Sequence, residues 1–380
     1  MLSGEPRLYS RYGDGVIVEA GHFLLRRKHL SRVLKGEIVA MDPRTPVFQG
    51  TPGTVVKPGT DTLRSSYLKL ARTHGGPIWK RMSNLNPLRP SDMSDGSCGE
   101  IANRLYDLNL KAGCQILLSP YFYFQDLEDP WAVLNLDLFE ATMDRCDREP
   151  VLMVLAFDHR LLAQKAKLME LKDLVAGEAA DGYAIWPVGL DETSATPETL
   201  YGLAVLTIEL NKPCLLLYAG YISMLVAAIT GAWFSNGVCF YERRELEVAQ
   251  PLNFRPSCGY YLRRLRQRVD PVTAVVFYRM LRHLDLEPSF CSACDRNIDG
   301  NGFEGIATMP DLDLLEHNLI ARRREMEAMS SSSDILTECL EKMNWVLKHK
   351  EQLSRIRRLG FFETWYRTAR RLLEEPPHNR

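Results

Sequence analysis

Long uninterrupted hydrophobic stretches are missing from this sequence of 380 residues. The longest apolar stretch, residues 219–234, is interrupted by glycine, serine and threonine and is too short to span a bilayer. Residues 1–7 also lack the apolar core that a signal peptide needs. We therefore expect a cytoplasmic protein that does not associate with membranes.

An excess of one charge and a regular cysteine framework are missing as well. The 47 lysines and arginines nearly balance the 48 aspartates and glutamates, which argues against a uniformly cationic coat but allows local basic patches. Nine cysteines without regular spacing favour reduced thiols over a disulfide scaffold. What remains, 46% hydrophobic and 25% charged residues, is typical of a globular protein with one large or two medium domains.

Short apolar runs alternate with segments of helical periodicity in the first two thirds of the chain. The run Val151–Phe157 is continuous, as expected for a parallel strand covered on both faces. Segments 161–175 and 197–210 read as helices, the second with Thr196 as its N-cap. This alternation predicts an α/β fold, a (β/α)8 TIM barrel over residues 1–255 rather than an open doubly wound sheet. Further strands are expected at 14–19, 54–57, 115–119, 183–185, 214–218 and 237–240.

The character of the chain changes after the expected barrel. Residues 261–282 hold six arginines against one aspartate, and residues 341–375 hold nine basic against five acidic groups. We expect basic helices and a Cys-x-x-Cys subdomain over 256–330, with helices at 260–268 and 272–286. A helical tail over 331–380 should divide at Gly360. The arginines would either contact nucleic-acid phosphates or pair with acidic groups of the barrel or of a partner subunit.

A Cys-x-x-Cys motif formed by Cys291 and Cys294 precedes His317, which lies on a predicted helix. Two thiolates and an imidazole are suitable zinc ligands. A structural zinc site would still need a fourth ligand, for which Cys258 and Asp295 are candidates. The same motif could instead be redox-active or consist simply of two buried thiols.

Candidate ligand-binding residues follow the predicted strands, where barrel active sites lie. Asp158 follows the run at 151–157, and its carboxylate can accept two N–H groups of a base such as guanine; the alternative is a helix N-cap. Tyr121 or Tyr123 could stack on that base, although such aromatic runs more often only pack, and Gln125 at the end of the run is a further candidate for binding it. The loop 186–189 would complete the slot.

Two other strand ends carry candidates with competing interpretations. The loop containing Gly189 could let a ligand approach the backbone closely, or could be an ordinary turn. Gly220 follows a later strand, and Arg243 with Arg244 could hold a phosphate or carboxylate, or form a solvated salt-bridged surface. A less favoured hypothesis is therefore an unrelated barrel enzyme that binds a phosphorylated metabolite.

In their order along the chain, these features resemble the tRNA-guanine transglycosylase family, whose barrel enzymes exchange guanine for a 7-deazaguanine, as in queuosine and archaeosine. Residues 151–158 look like the family's strand whose final aspartate recognises the base. Residues 182–192 resemble its Gly-Gly-Leu-x-x-Gly-Glu loop, with Trp186 and Pro187 replacing the glycine pair. Residues 212–231 resemble its Lys-Pro strand and following helix. The resemblance covers roughly residues 115–325 and includes the family's zinc ligands at Cys291, Cys294 and His317.

Three departures from the family pattern concern its chemistry. The nucleophilic aspartate falls on Asn236, and an amide cannot form the covalent glycosyl link. The family's Asp-Ser-Gly-Gly-Phe-Gln aligns with residues 120–125, where only Phe124 and Gln125 match. The first zinc cysteine falls on Ser289.

The resemblance thus implies a divergent member that recognises a guanine or 7-deazaguanine base in tRNA or DNA and holds a structural zinc ion. If it still exchanges bases, Asp191, Glu192 or Glu242 would have to supply the covalent or proton-transfer chemistry, beside Asn236. The alternative is a catalytically inactive barrel that binds nucleic acid or a nucleobase, as a homodimer or within a larger complex.

Overall fold

The computed structural model of the chain has an α/β architecture in which helices outnumber strands. It describes residues 8, 11–20, 23, 37–49, 89–93, 95–146, 148–236, 259–283, 290–298, 302–332, 334–354 and 359–377. None of the helices in these ranges combines the length and the apolar character that crossing a bilayer requires.

Parallel strands follow one another in sequence order. The strands β1 (Val16–Glu19) and β2 (Ile38–Asp42) form one pair. A five-stranded parallel sheet comprises β3 (Leu117–Leu118), β4 (Val151–Asp158), β5 (Gly182–Val188), β6 (Cys214–Leu216) and β7 (Trp233–Phe234). Backbone N–H groups of Gln115 and Ile116 donate to the carbonyl of Val39 over 3.0 and 2.9 Å, so β2 runs beside the approach to β3.

The five-stranded sheet is curled, and its two faces are buried against different partners. Inward residues of β4 and β5 share one apolar cluster with residues of β2, β3 and β6, whereas the alternate residues of β4 pack against the surrounding helices. All eight residues of β4 are buried, which confirms the strand expected from its continuous apolar run. The inward residues are Leu152, Val154, Ala156, Ala184, Trp186 and Val188.

Five helices alternate with the strands of the curled sheet: α1 (Asp95–Ala112), α2 (Pro130–Met143), α3 (Lys165–Val175), α4 (Pro197–Glu209) and α5 (Tyr221–Thr230). Thr196 caps α4 as predicted, because its side chain accepts a hydrogen bond from the Thr199 N–H over 3.3 Å. A 3-10 turn (His159–Ala163) separates β4 from α3, so the helix expected from residue 161 begins later.

The C-terminal part is helical. It contains α6 (Pro271–His283), α7 (Ser292–Ile298), α8 (Asp311–Ser331), α9 (Ile335–Lys348), the short α10 (Lys350–Leu353) and α11 (Phe361–Glu374). The tail therefore divides before Phe361, as expected. The Trp365 ring stacks on Tyr221 with centroids 5.4 Å apart, and one apolar core continues from the sheet into the tail. The domain boundaries at 255 and 330 stay predictions.

The helix predicted over residues 260–268 is wrong. These residues form an antiparallel hairpin of β8 (Tyr260–Leu262) and β9 (Gln267–Val269), and Arg266 in its turn has a left-handed backbone with φ of 50°. Arginines favour a helix locally, but all three residues of β8 are buried, and tertiary packing of aromatic side chains overrides that propensity.

Two predicted strands, at 54–57 and 237–240, lie outside the described residues. Conversely, β2 and β7 are strands that the sequence analysis did not predict, although β2 is an apolar run ending in aspartate; β7 has only two residues. The described strands thus form a curled, half-barrel sheet with the β1–β2 pair beside it.

Candidate functional site

Asp158 ends β4 at the carboxyl edge of the curled sheet, paired with Val188 of β5. One carboxylate oxygen accepts hydrogen bonds from the backbone N–H and the Nε of Arg160 over 2.9 and 2.8 Å. The other accepts from Nη2 of Arg160 over 2.8 Å and from the Tyr123 hydroxyl over 3.0 Å. Asp158 therefore lies at the strand end and caps the 3-10 turn, while its role in binding a base stays a prediction.

The ionisation of Asp158 is set by these contacts. Burial alone would raise its pKa, but the hydrogen bonds from Arg160 and Tyr123 outweigh burial and hold the pKa below its usual value. The residue is 8% exposed, whereas the Arg160 side chain is 65% exposed. The site therefore presents a buried carboxylate whose main partner is a solvated guanidinium.

Tyr121 and Tyr123 lie two residues apart in the extended segment after β3 and connect two carboxylates. Tyr123 donates to Asp158, and the Tyr121 hydroxyl donates to Asp42 at the end of β2 over 2.6 Å. The side chain of Gln49 pins the backbone of Tyr123, accepting from its N–H over 2.8 Å. Tyr121 is fully buried, so it is a packing residue, while Tyr123 stays partly open beside Asp158.

The predicted neighbours of this slot are also placed. Trp186 is buried in the sheet interior, with its ring 5.8 Å from that of Tyr121. Gly189 has a φ of 78°, a left-handed conformation that makes it a turn residue. Gln125 is exposed, and its backbone N–H donates to Asp129 over 3.2 Å.

Beneath this edge lies a buried polar group that the sequence analysis missed. We call it the inner polar layer: Asp42, Arg44, Tyr121, Trp186 and Tyr218. Asp42 accepts hydrogen bonds from the hydroxyls of Tyr121 and Tyr218 and from the Arg44 backbone N–H. The Arg44 guanidinium carbon lies 4.9 Å from the centre of the Trp186 ring, and Nη1 donates to the Tyr218 hydroxyl over 3.4 Å.

Two carboxylates lie beside the one guanidinium of the inner polar layer. Glu19, at the end of β1, lies 3.4 Å from Nε of Arg44. Burial would lower the pKa of Arg44, but Tyr218, Glu19 and Asp42 hold it well above its ordinary value, while burial raises the pKa of Asp42. A signal for Asp42 exists in the sequence: residues 38–42 are an apolar run ending in aspartate, as in β4.

Glu192 caps α5 and is not open to a ligand. Its buried carboxylate accepts hydrogen bonds from the N–H groups of Gly220 over 3.0 Å, Ile222 over 2.7 Å and Ser223 over 3.2 Å. A carboxylate is stabilised at this end by the helix dipole. A Cβ on Gly220 would lie 2.6 Å from the Glu192 carboxylate, so the absence of a side chain at this position leaves room for the capping carboxylate.

The remaining predicted chemical groups are dispersed. Asp191 accepts from the N–H and hydroxyl of Thr193 over 2.9 and 2.7 Å in an exposed turn. Asn236 follows β7; its Nδ2 lies 3.7 Å from the Met224 sulfur, and its buried Oδ1 has no partner among the described residues. Three more candidates lie outside the described residues: Glu242, Arg243 and Arg244.

Cys291, Cys294 and His317 converge on one buried point where α7 meets α8. The two sulfurs are 3.6 Å apart, and His317 Nδ1 lies 3.3 Å from the Cys291 sulfur and 3.2 Å from that of Cys294. A tetrahedral zinc ion with ordinary Zn–S and Zn–N bonds would separate such ligands by about 3.5–3.8 Å. These three residues could therefore hold a metal ion.

The surroundings of the three ligands suit a metal. His317 Nε2 donates to the Tyr261 carbonyl over 2.9 Å, which leaves Nδ1 free to ligate. The Tyr260 hydroxyl hydrogen-bonds the Cys294 sulfur over 3.1 Å, and its ring stacks on His317. The hydrogen bond with Cys294 lowers the pKa of Cys291, which favours a thiolate.

A fourth ligand does not emerge within the described ranges. Asp295 is exposed and is not part of the converging group. Cys258 and Ser289 lie outside the described residues.

Many arginines of the two basic segments already contact acidic or aromatic groups. Arg266 forms a buried ion pair with Glu325, and Arg264 lies over the Trp345 ring at 4.8 Å. In the tail, Arg367, Arg370 and Arg371 each pair with a glutamate on α11 or just after it. Arg355, Arg357 and Arg358 lie outside the described residues. These pairs lie within the C-terminal part itself, and the glutamates of the tail pairs are already counted in its balance, so whether the remaining basic excess contacts nucleic acid, the barrel or a partner subunit stays a prediction.

The resemblance that the sequence suggests finds no independent support from known proteins. No family model matches the chain, and no curated protein matches it. The function must therefore be argued from the geometry of the side chains themselves.

Proposed function

We propose that this protein is a tRNA-guanine transglycosylase-like protein that recognises a guanine or 7-deazaguanine base of a nucleic acid at the carboxyl edge of its curled sheet. The observation that carries the proposal is Asp158, a buried and ionised carboxylate at the end of β4. A carboxylate accepts two parallel N–H bonds, which is what the N1 and N2 edge of guanine offers.

Recognition requires the Arg160 guanidinium to leave Asp158. This side chain is mostly in water, so its release exposes acceptor positions on both carboxylate oxygens at low cost. Tyr123 keeps its hydrogen bond and the backbone N–H of Arg160 keeps the cap, so Asp158 stays oriented while it changes partners.

The proposal includes a closed (β/α)8 barrel. Two features support closure: the described parallel strands follow sequence order, and Tyr218 after β6 hydrogen-bonds Asp42 of β2 across the sheet interior. The segment 237–240 would add the strand that follows β7.

The contacts of the described carboxylates favour a protein that binds the base but does not exchange it. Glu192 is committed to capping α5, Asp191 bonds within an exposed turn, and Asn236 lacks a nucleophilic oxygen anion. A labelled-guanine assay with tRNA and with DNA tests this form. We expect no label to enter either polymer; incorporation would establish exchange and identify the polymer.

Base recognition itself is tested by calorimetric titration of guanine into the full chain and into Asp158→Asn. The amide has one acceptor oxygen where the carboxylate has two, so affinity should fall about tenfold to hundredfold. Stability should be unchanged, because asparagine caps as well as aspartate. Asp173→Asn, an exposed charge change on α3, is the matched control. Equal affinity of wild type and Asp158→Asn would refute the proposal.

For the metal group we propose Zn²⁺ held by Cys291, Cys294 and His317. Two thiolates and one imidazole are a donor set that zinc prefers, and the bound ion would supply a cross-link between α7 and α8 rather than reaction chemistry. Elemental analysis of the purified protein should give about one zinc per chain. A protein that is free of zinc and does not take it up would contradict this assignment.

Nucleic acid is the proposed partner. Its phosphates would be contacted by arginines of the two basic segments other than those in the ion pairs described above. Phosphate contacts release counterions, so affinity for tRNA or DNA should fall steeply between low and moderate salt. A salt-independent affinity would exclude phosphate contacts.

A further inference from the structure

Two buried hydrogen-bond donors in the inner polar layer have no partner among the described residues: Nη2 of Arg44 and Nε1 of Trp186. Their residues are 2% and 1% exposed. Native proteins satisfy nearly all such groups, because leaving a buried donor unpaired is costly. These donors therefore require an acceptor that the described side chains do not provide.

Strand register places these donors directly beneath Asp158. Trp186 of β5 pairs with Ala156 of β4, two residues before the pairing of Val188 with Asp158. Ala156, Trp186 and Val188 all face the sheet interior, and alternation turns Asp158 the same way. Two residues of strand correspond to about 7 Å. The inner polar layer is therefore the floor under the proposed base site.

The charges of the floor select the kind of acceptor. Arg44 already has two carboxylates beside it, those of Asp42 and Glu19. A bound phosphate or carboxylate would add a third negative charge to one positive charge in a buried setting, which is unfavourable. A neutral acceptor such as a carbonyl oxygen satisfies both donors without that penalty.

Two of the four non-glycine residues with positive φ in the described ranges lie in the same layer. Arg44 has φ of 50° and Tyr218 has φ of 56°, and left-handed conformations are unusual for residues with large side chains. Such conformations occur preferentially where a fold holds groups for a ligand. They agree with a floor shaped for binding rather than for packing alone.

We propose that Arg44 and Trp186 are specificity-determining residues of the base site, donating to the carbonyl oxygen of a guanine-type base whose N–H groups are accepted by Asp158. The inference rests on the proposed function and extends it. A carboxylate only accepts hydrogen bonds, so Asp158 can recognise only the N–H groups of the base. Arg44 and Trp186 would add donors that recognise its carbonyl oxygen. Arginine donating to the guanine carbonyl is a frequent pairing in base recognition.

The test compares guanine with 6-thioguanine, whose sulfur is a weak acceptor at the carbonyl position, by titration calorimetry of the full chain. Trp186→Phe keeps the ring and removes only Nε1–H. Arg44→Lys keeps the charge and removes Nη2. Trp233→Phe, at an exposed tryptophan on β7, is the matched control.

We expect wild type and Trp233→Phe to prefer guanine about tenfold over 6-thioguanine. Trp186→Phe should bind guanine about tenfold more weakly than wild type and lose most of that preference. Arg44→Lys should do the same, and if it fails to fold, Trp186→Phe decides alone.

If Trp186→Phe binds guanine as tightly as wild type and keeps the wild-type preference for guanine over 6-thioguanine, the inference is overturned. Water would then be the partner of both donors. If Asp158→Asn weakens guanine binding in the same experiment, base recognition survives that failure. Absence of guanine binding to the wild type would overturn the proposed function, and this inference with it.

Discussion

The metal group and the inner polar layer are both buried clusters of polar side chains, but they differ in how far the described residues satisfy their hydrogen-bonding atoms. In the metal group, Cys294 and His317 each hydrogen-bond a residue outside the group, and the Asn318 amide ties α8 to the hairpin by accepting from the Tyr261 N–H over 3.0 Å. In the inner polar layer, two donors remain without a partner among the described residues.

Under the two proposals above, this difference separates a scaffold from a binding surface. A structural metal site must be fully organised, because its ligands and their neighbours together stabilise the fold. A recognition site must keep hydrogen-bonding capacity for a molecule that comes and goes. Buried polar groups therefore indicate opposite roles, depending on whether their donors are satisfied.

Loss of the metal group should have the largest effect on stability. Cys294→Ser removes one of three ligands and should lower the free energy of unfolding by several kcal/mol, with zinc content falling in parallel. Thermal unfolding followed by circular dichroism measures the change. Cys146→Ser, at a partly buried cysteine outside the group, is the control and should change stability far less. An equal effect of both variants would remove the distinction between the two clusters.

Asp42→Asn should come second, because it takes a negative charge from beside the buried Arg44. The Arg44–Glu19 ion pair remains, but the amide is a weaker acceptor for the buried hydroxyls of Tyr121 and Tyr218, so we expect a cost of about 1–3 kcal/mol in urea unfolding. The outcome sharpens the comparison: no loss of stability in Asp42→Asn would mean that the Asp42 carboxylate is dispensable for the fold.

Tyr260→Phe should cost about 1 kcal/mol of stability, since it removes one buried hydroxyl and keeps the stacked ring. Zinc affinity should fall about tenfold, because neighbours of metal ligands tune binding. Competition with a chromogenic chelator measures it. Unchanged affinity would show that the Tyr260 hydroxyl serves packing only.

Arg160→Gln should have the smallest energetic effect, and in the opposite direction. It removes the solvated guanidinium that competes for Asp158, so guanine affinity should rise about threefold while the melting temperature stays constant. Calorimetric titration reports the change. Weaker binding would mean that Arg160 contacts the base instead of competing with it.

The metal group and β4 were predictable because their signals are local. Cys291 and Cys294 are three residues apart, and the eight buried residues of β4 are consecutive. The identity of the metal and the closure of the barrel stay predictions. Glu192 was interpreted as a chemical group because its partners, the first N–H groups of α5, lie about 30 residues further along the chain.

The inner polar layer could not be predicted in the same way. Arg44 and Tyr218 meet only because the sheet curls, and no local pattern specifies which side chains face each other across it. Their left-handed backbones are equally invisible in the sequence, since neither residue is a glycine. The hairpin at 260–269 shows the same limit, because burial of Tyr260 rather than local propensity decides its conformation.

One contact of the tail links distant parts of the chain. The Trp365 indole N–H donates to the backbone carbonyl of Glu192 over 2.7 Å, and Glu192 in turn caps α5. The last helix thus holds the loop that leaves β5, next to the proposed base site. A chain shortened before residue 361 would lose this contact and should loosen a loop 173 positions upstream of Trp365. If the carboxyl edge binds a base as proposed, a truncation of the last helix should be treated as a change in the site itself.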